Sequence, residues 1–173
     1  MVTPRRMLIA GVSALVMGAG AAGVANADPA AAQSDQDYLA AAHQTNLTEM
    51  AAGGRAAAMA SCPAVQRLGS TFVADHSRLD GMVTTVAART GVMLPLLPNG
   101  EQQQTLAATS TKLGRDFDIA WLQSQEQGHL AALRDGRQAL AASTTPDVRS
   151  VAEQATPIVE EHLAEIRTAL GQC

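Results

Sequence analysis

The chain has 173 residues, of which 47% are hydrophobic, 16% charged and 2% aromatic, and its net charge is −4. This length fits one domain, and with about a fifth of the residues alanine, the core must consist of small and aliphatic side chains on closely packed elements. The composition therefore argues against a β-sandwich or barrel, which depends on aromatic and β-branched strands. The acidic balance and the single lysine, Lys112, argue against a nucleic-acid partner.

The first 27 residues have the pattern of a secretory signal peptide. Arg5 and Arg6 form a basic start, an uncharged apolar stretch covers residues 7–24, and Ala25-Asn26-Ala27 supplies the small residues that signal peptidase requires. We therefore expect cleavage after Ala27 and an exported protein in the periplasm, the cell envelope or the extracellular space. The alternative is a membrane anchor, because the apolar stretch of about 18 residues just reaches the length of a span. Ordinary secretion and twin-arginine export both stay open.

Removal of residues 1–27 takes away two arginines and no acidic residue, which changes the net charge from −4 to −6. The remaining chain has the character of a soluble acidic domain, and we expect no stable membrane span after cleavage. Residues 28–33 are expected to form a short disordered leader. The folded domain is then predicted over residues 34–173.

Four long helices are predicted from capping residues, prolines and apolar periodicity. The first is expected over residues 34–60, and its Gly53-Gly54 pair either weakens the helix or lets a neighbouring backbone approach closely. The second helix is expected to begin at Pro63 and to stop at Gly91. Its apolar stripe is the clearest in the chain and consists of Val65, Leu68, Phe72, Leu79, Val83 and Val86.

A connector broken by two prolines follows the second helix. Its later part, residues 100–113, is predicted to form a short helix with Gly114 as the break. The third long helix is expected over residues 116–142 and the fourth over residues 146–170, after the N-cap Thr145. Four helices of about 25 residues each predict an all-α four-helix bundle.

Two cysteines, Cys62 and Cys173, bear on the topology of this bundle. In an oxidising compartment a disulfide between them is the economical interpretation. In an up-down-up-down bundle they would lie about 39 Å apart, far beyond the roughly 7 Å limit between bonded Cα atoms. The bond becomes possible if the connector between helices two and three crosses back along the bundle, as in ferritin-like folds with one long crossover. Unpaired or intermolecular thiols are the alternative.

Ionisable side chains from all four long helices are expected near mid-height of the apolar core. His76, for example, lies in the apolar stripe of the second helix, with Asp75 at the edge of the same face. Burying such groups singly costs several kcal/mol, so they should pair with one another, with water or with a metal ion. The candidate metal ligands are Glu49, His76, Glu126, His129 and His162.

Two interpretations of this layer stay open. Carboxylate and imidazole ligands on facing helices, including a Glu-x-x-His pair such as Glu126 and His129, are typical of iron and manganese sites in ferritin-like bundles. Zinc and copper are further candidates, whereas a di-iron oxidase would need a second Glu-x-x-His motif that the sequence lacks. The other interpretation is a buried network of histidines and carboxylates that fixes the register of the bundle. Haem is disfavoured because few aromatic residues are available to line its pocket.

Other features carry less functional information. His43 is expected at the surface or in packing, and the Asn46-Leu47-Thr48 glycosylation sequon lies within a predicted helix. The sequence has no G-x-S-x-G elbow, and no glycine-rich nucleotide loop occurs after the signal segment. We therefore expect a protein without enzymatic activity rather than a hydrolase or a nucleotide-dependent enzyme.

Several separated motifs together resemble the DUF4142 family of exported bacterial proteins. They are Tyr38-x-x-Ala41-Ala42 followed by Glu49, Phe72-Val73-Ala74-Asp75-His76-Ser77, Gly91-x-x-Leu94-Pro95, Phe117-Asp118-x-x-Trp121, His129 and Pro157-x-x-x-x-His162-Leu163. The resemblance covers nearly all of the chain after residue 27. It implies a ferritin-like four-helix fold, a cell-envelope or secreted location, and no established biochemical activity. The family's recurring polar positions correspond to Glu49, Asp75, His76, Asp118, His129 and His162.

Two functional hypotheses follow from the sequence. The first is a non-enzymatic exported bundle with a structural or stress-related role in the cell envelope. The second is a bundle that binds a transition metal ion through the mid-bundle Glu and His residues, for storage, scavenging or redox chemistry. The sequence indicates no particular protein partner.

Overall fold

Five helices form the part of the chain that the computed structural model describes, residues 29–173. They are α1 (Pro29–Met59), α2 (Pro63–Thr90), α3 (Gly100–Ser110), α4 (Gly114–Ala142) and α5 (Pro146–Leu170). The all-α class and the four long helices of the sequence analysis are confirmed. The expected signal peptide, residues 1–27, lies outside the described residues. Within residues 29–173, none of the helices combines the length and the apolar character needed to cross a membrane.

Most of the predicted helix ends are found within a few residues, and each difference has a local cause. α1 begins at Pro29 rather than at residue 34, because an N-terminal proline followed by alanines favours helix, so most of the segment expected to be a leader is helical. α2 begins at Pro63 and is closed by Gly91, whose φ of 73° is the left-handed conformation that glycine adopts readily. α4 begins at Gly114, also with positive φ, two residues before the predicted start.

The connector between α2 and α4 crosses back along the bundle beside α1. The Gln44 side chain donates to the carbonyl of Leu97 near the start of the connector, and the Arg55 side chain donates to the carbonyl of Ser110 at its end. The connector therefore runs parallel to α1, and α3 packs against both α1 and α4. Asn99 starts α3 with a capping box, in which its side chain and that of Gln102 each accept from the other's backbone N–H.

This crossover brings the two cysteines together. Cys62, in the turn between α1 and α2, forms a disulfide with Cys173 just after α5, and the two Cα atoms lie 5.9 Å apart. The start of α4 lies at the same end, because the Asp118 carboxylate accepts from the backbone N–H groups of Ser61 and Cys62. The Thr145 hydroxyl donates to Asp35 at the opposite end. α4 thus runs parallel to α2, and the predicted crossover topology and disulfide are confirmed.

Two apolar clusters fill the bundle on either side of a polar layer. The cluster at the disulfide end includes Phe72, Phe117, Trp121, Leu122 and Ile166. The cluster at the opposite end includes Leu39, Val83, Val86, Val148 and Val151. Because both clusters exclude water, polar side chains between them must find their partners within the bundle or in a bound ion.

Gly53 and Gly69 allow α1 and α2 to pack closely near the disulfide end. A Cβ atom on Gly69 would lie 2.6 Å from the carbonyl oxygen of Gly53 and equally close to the backbone nitrogen of Ala57. A Cβ atom on Gly54 would have no neighbour within 4 Å. Of the two sequence interpretations of the glycine pair, close backbone approach therefore holds for Gly53.

Candidate metal centre

Three histidines from three helices converge in the polar layer. His76 on α2, His129 on α4 and His162 on α5 are each at most 2% exposed. One ring nitrogen from each histidine lies within 4.8 Å of the corresponding nitrogens of the other two. Helical periodicity explains this placement, because each histidine occupies a core-facing position one turn from a buried apolar residue.

Each histidine has a hydrogen-bond acceptor on one of its two ring nitrogens. His76 Nδ1 lies 2.9 Å from Asn46 Oδ1, and His129 Nδ1 lies 2.9 Å from the backbone carbonyl oxygen of Gln125. His162 Nε2 lies 3.1 Å from Asp75 Oδ2. A neutral imidazole carries a single N–H, and these acceptors fix it on Nδ1 of His76, Nδ1 of His129 and Nε2 of His162.

In the neutral form of a ring, its other nitrogen carries a lone pair. His129 Nε2 and His162 Nδ1 are 3.3 Å apart, within hydrogen-bond distance of each other. His76 Nε2 is buried and has no hydrogen-bond partner. One ring nitrogen from each histidine thus lies at the shared centre of the cluster. This is the donor set of a three-histidine metal site whose outer N–H groups are held by acceptors.

An additional proton on one of the rings could take the place of a metal ion, but burial disfavours the charged form of a histidine. Burial and the neighbouring histidines lower the pKa of His76 to about 2. Burial, followed by the charge of His162, lowers the pKa of His129 to about 3. Both rings are therefore neutral at physiological pH, which is the form that binds metal ions.

Asp75 supplies negative charge at the edge of the layer. Burial alone would raise its pKa, but hydrogen bonds from His162 and from Arg78 lower it below the ordinary value for an aspartate. The Arg78 guanidinium lies 2.9 Å from Asp75 Oδ1 on the same helix. Asp75 is thus an ionised group that orients the His162 ring, as carboxylates do behind metal-bound histidines.

Glu49 lies beside the histidines but not at their shared centre. Its Oε1 atom is 4.0 Å from His129 Nδ1, the outer nitrogen of that ring. The Gln125 amide, oriented to satisfy both groups, donates to both carboxyl oxygens of Glu49. Burial raises the pKa of Glu49 to about 8, so at neutral pH the group is mostly protonated. In this arrangement Glu49 supports the His129 side of the cluster.

The remaining sequence candidate lies elsewhere. Glu126 is on the surface side of α4 and forms an ion pair with Arg167 at 2.8 Å. The Glu-x-x-His spacing therefore does not bring Glu126 to the cluster. Side chains at positions i and i+3 of a helix point in directions that differ enough for one to be buried and the other to face solvent. His43 forms a partly buried pair with Asp80 at 2.7 Å and is separate from the three histidines.

Sequence reasoning missed two partners in this layer, Asn46 and Gln125. Asn46 precedes Glu49 by three residues, and Gln125 precedes His129 by four, so each lies on the same helix face as a residue that the sequence placed in the layer. Helical spacing applied to polar residues would have found them. In the sequence Asn46 was considered only as part of a glycosylation sequon, whereas in the structure it is 5% exposed and accepts from His76.

Phe72 packs on the disulfide side of the histidine cluster. Its ring centroid lies 4.4 Å from that of His162, 4.9 Å from that of His129 and 6.0 Å from that of His76. Trp121 lies behind Phe72 and donates through Nε1 to the carbonyl of Ala52. Aromatic and apolar groups thus close this side of the cluster completely.

A protein-family model, described as "Domain of unknown function (DUF4142)", matches residues 20–169. The chain belongs to the DUF4142 family. Comparison with curated proteins and with solved structures finds no match. Of the six polar positions indicated by the DUF4142 resemblance, five lie in the mid-bundle layer of this DUF4142 chain, whereas Asp118 lies at the disulfide end and accepts from the turn before α2.

Proposed function

We propose that this protein is exported and that its bundle binds a single divalent transition metal ion through His76, His129 and His162. The observation that carries the proposal is the convergence of three buried ring nitrogens, one from each histidine, within 4.8 Å of one another. His76 Nε2 is buried without a partner, and His129 Nε2 faces His162 Nδ1 across 3.3 Å.

A purely structural histidine layer explains this arrangement less well. A buried polar atom without a partner costs about 1–3 kcal/mol, and a network that served only to fix register would avoid that cost. Here the cost falls on His76 Nε2, whereas the outward nitrogen of each ring has an acceptor. A metal ion at the centre would give His76 Nε2 a partner and would be bound by His129 Nε2 and His162 Nδ1 as well.

The donor set narrows the class of metal. Neutral imidazoles bind zinc, copper, cobalt, nickel and iron, whereas magnesium and calcium prefer oxygen ligands. Both cysteines are in the disulfide, so thiolates do not contribute. Tetrahedral zinc with nitrogen ligands at about 2.0–2.1 Å separates those ligands by about 3.3 Å, which matches the distance between His129 Nε2 and His162 Nδ1.

Export is supported by the N-terminal sequence and by the disulfide. The basic start, the apolar stretch and Ala25-Asn26-Ala27 match a cleaved signal, and a bond between Cys62 and Cys173 suits an oxidising compartment. Expression of the full chain in an exporting bacterium followed by N-terminal sequencing tests this. A start at Asp28 in the exported fraction would support export with cleavage, whereas retention of residues 1–27 would contradict it.

Metal binding is tested by elemental analysis of the exported protein, purified without an affinity tag or chelator. We expect about one equivalent of a transition metal, or its uptake when zinc or cobalt is added. His76→Ala and His129→Ala should weaken binding by about 100-fold or more, because each removes a ligand. His43→Ala is the matched control, since His43 pairs with Asp80 outside the cluster.

The outer partners provide an independent test. Asp75→Asn and Asn46→Ala should each weaken metal binding by about 10- to 100-fold while leaving the stoichiometry at one, because they orient a ligand without contacting the metal. A well-folded protein that takes up none of these ions would overturn the metal proposal. The histidine layer would then be structural, and function would have to be sought at the surface.

A further inference from the structure

A cavity of about 50 Å³ is bordered by His76, one of the three clustered histidines. Its lining includes one residue about a turn from each histidine, namely Leu79 on α2, Ala132 on α4 and Val159 on α5. These positions follow His76 and His129 but precede His162, because α5 runs antiparallel to α2 and α4. All three therefore lie on the same side of the layer, away from the disulfide.

The two sides of the cluster thus differ. Phe72 is fully buried against all three imidazole rings and leaves no room for another ligand there. On the other side the small side chains of Ala132 and Ala155, together with Gly136, leave space that His76 and Asn46 border. Three protein ligands leave at least one coordination position of a tetrahedral ion unfilled.

We propose that this cavity is the binding site for a small exogenous ligand of the metal, of about three heavy atoms or fewer. This inference rests on the proposed metal site. A water molecule needs roughly 10–15 Å³ of such space, so the cavity accommodates a few waters or a small anion or neutral molecule and excludes larger compounds. The lining is mainly apolar, and its polar residues are Tyr38, Thr45, Asn46, His76, Asp135 and Thr156.

A second pocket, between α1 and α4, adjoins this cavity, because Tyr38, Ala41 and Asp135 line both. A metal ion held by three histidines beside the cavity would differ from a closed structural metal site, which has four protein ligands.

The test uses the full mature protein loaded with cobalt, whose visible absorption reports coordination, and azide as the small ligand. We expect azide to change the cobalt spectrum saturably. Ala132→Leu, which fills the cavity, should bind one cobalt as the unmodified protein does, but its azide affinity should fall by about tenfold or more. Ala141→Leu, on the exposed face of the same helix, is the matched control and should bind azide normally.

The possible failures are distinguishable. If the unmodified protein takes up no cobalt, the metal proposal fails and this inference fails with it. If cobalt binds but azide leaves its spectrum unchanged, or if Ala132→Leu binds azide as well as the control does, only the cavity inference is overturned. Should Ala132→Leu not fold, Ala155→Val fills the same cavity from α5, with the exposed Ala164→Val as its control.

Discussion

The disulfide end of the bundle and the histidine layer both bury polar groups, but they treat them differently. At the disulfide end, Asp118 is 1% exposed and accepts from two backbone N–H groups, at 3.0 Å from Ser61 and 2.8 Å from Cys62. The Trp121 indole N–H has its own acceptor in the carbonyl of Ala52. In the histidine layer, His76 Nε2 is equally buried but has no hydrogen-bond partner, and His129 Nε2 and His162 Nδ1 contact each other at 3.3 Å.

This difference distinguishes buried polar groups that stabilise the fold from buried polar groups that are positioned to bind a ligand. The Asp118 carboxylate is stabilised by two backbone N–H groups of the turn before α2 and by the positive end of that helix's dipole, so it stabilises the fold. The buried and unpartnered His76 Nε2 opposes the fold until a cation binds it. Substitutions at the disulfide end should therefore lower stability and leave metal binding intact. Substitutions of the histidines should abolish or weaken metal binding and change the stability of the metal-free protein little.

Removal of the disulfide should have the largest effect on stability. The bond joins residues 111 apart in sequence, and closing a loop of this size stabilises the fold by about 4–5 kcal/mol through the lost entropy of the unfolded chain. Cys62→Ser combined with Cys173→Ser should lower the free energy of unfolding by about that amount in urea titrations. The folded fraction should still bind one metal ion. Loss of the metal in a folded double variant would break the proposed separation between the two regions.

Asp118→Ala should have the next largest effect. It leaves the N–H groups of Ser61 and Cys62 without an acceptor and removes a charge from the start of α2, which should cost about 3 kcal/mol. Asp116→Ala, an exposed change on the same helix, is the control and should cost about 0.5 kcal/mol or less. Chemical denaturation measures both. Equal effects of the two substitutions would argue against the capping role of Asp118.

The stability of the metal-free protein should pass through a maximum near pH 6.5, and on each side it should fall by on the order of 2 kcal/mol. As the pH falls below 6.5, the unfolded chain protonates His76 and His129, whereas the folded protein does not until about pH 2–3. Above pH 4.5 the unfolded chain ionises Glu49, whereas the folded protein retains that proton up to about pH 8. Stability therefore declines toward alkaline pH as well. Below pH 6.5 the effect of the two histidines is larger than this effect of Glu49, so stability falls as the pH is lowered.

Urea titrations of chelator-treated protein at pH 4.5, 6.5 and 8 measure this profile. Glu49→Gln should remove the decline between pH 6.5 and 8 and leave the acid decline in place. Stability that rose steadily across this range in both proteins would contradict the assignment of buried neutral histidines and a protonated Glu49.

His76→Leu should have the smallest effect on the metal-free fold. Leucine fills a similar volume without an unpaired nitrogen, although Asn46 loses its donor, so the net change should stay within about 1 kcal/mol. Metal binding should be lost, which calorimetric titration with zinc measures. A loss of several kcal/mol in the absence of metal would instead place His76 with Asp118 among the groups that stabilise the fold.

Much of the fold could be predicted because the signals are local or covalent. Pro63 and Gly91 mark the two ends of α2, and Thr145 and Pro146 mark the start of α5. A disulfide between the two cysteines implies a crossover, because their separation in a simple up-down bundle is too large for the bond. The start of α1 was placed too late because a polar capping residue, Ser34, outweighed the alanines before it.

The candidate site was predicted less completely. Its geometry depends on how each helix is rotated about its own axis, and the spacing of residues in the sequence indicates that rotation only coarsely. Periodicity placed His76 and His162 in the core, since apolar residues surround them on their own helices. Glu126 was included because the Glu-x-x-His motif is typical of other bundles. In this structure Glu126 lies on the surface side of α4, and its neighbour Gln125 contacts Glu49 in the layer. Which ring nitrogens remain without a donor depends on contacts between helices and could not be read from one sequence.

The disulfide also determines which parts of the molecule stay joined if the backbone is cut. His76, His129 and His162 all lie between Cys62 and Cys173. The connector lies within this interval, Met93 and Leu96 in it are 93% and 91% exposed, and exposed loop residues are preferred sites of proteolysis. A single cut there would separate His76 from the other two histidines along the backbone. The covalent ring would nevertheless keep all three ligands in one molecule.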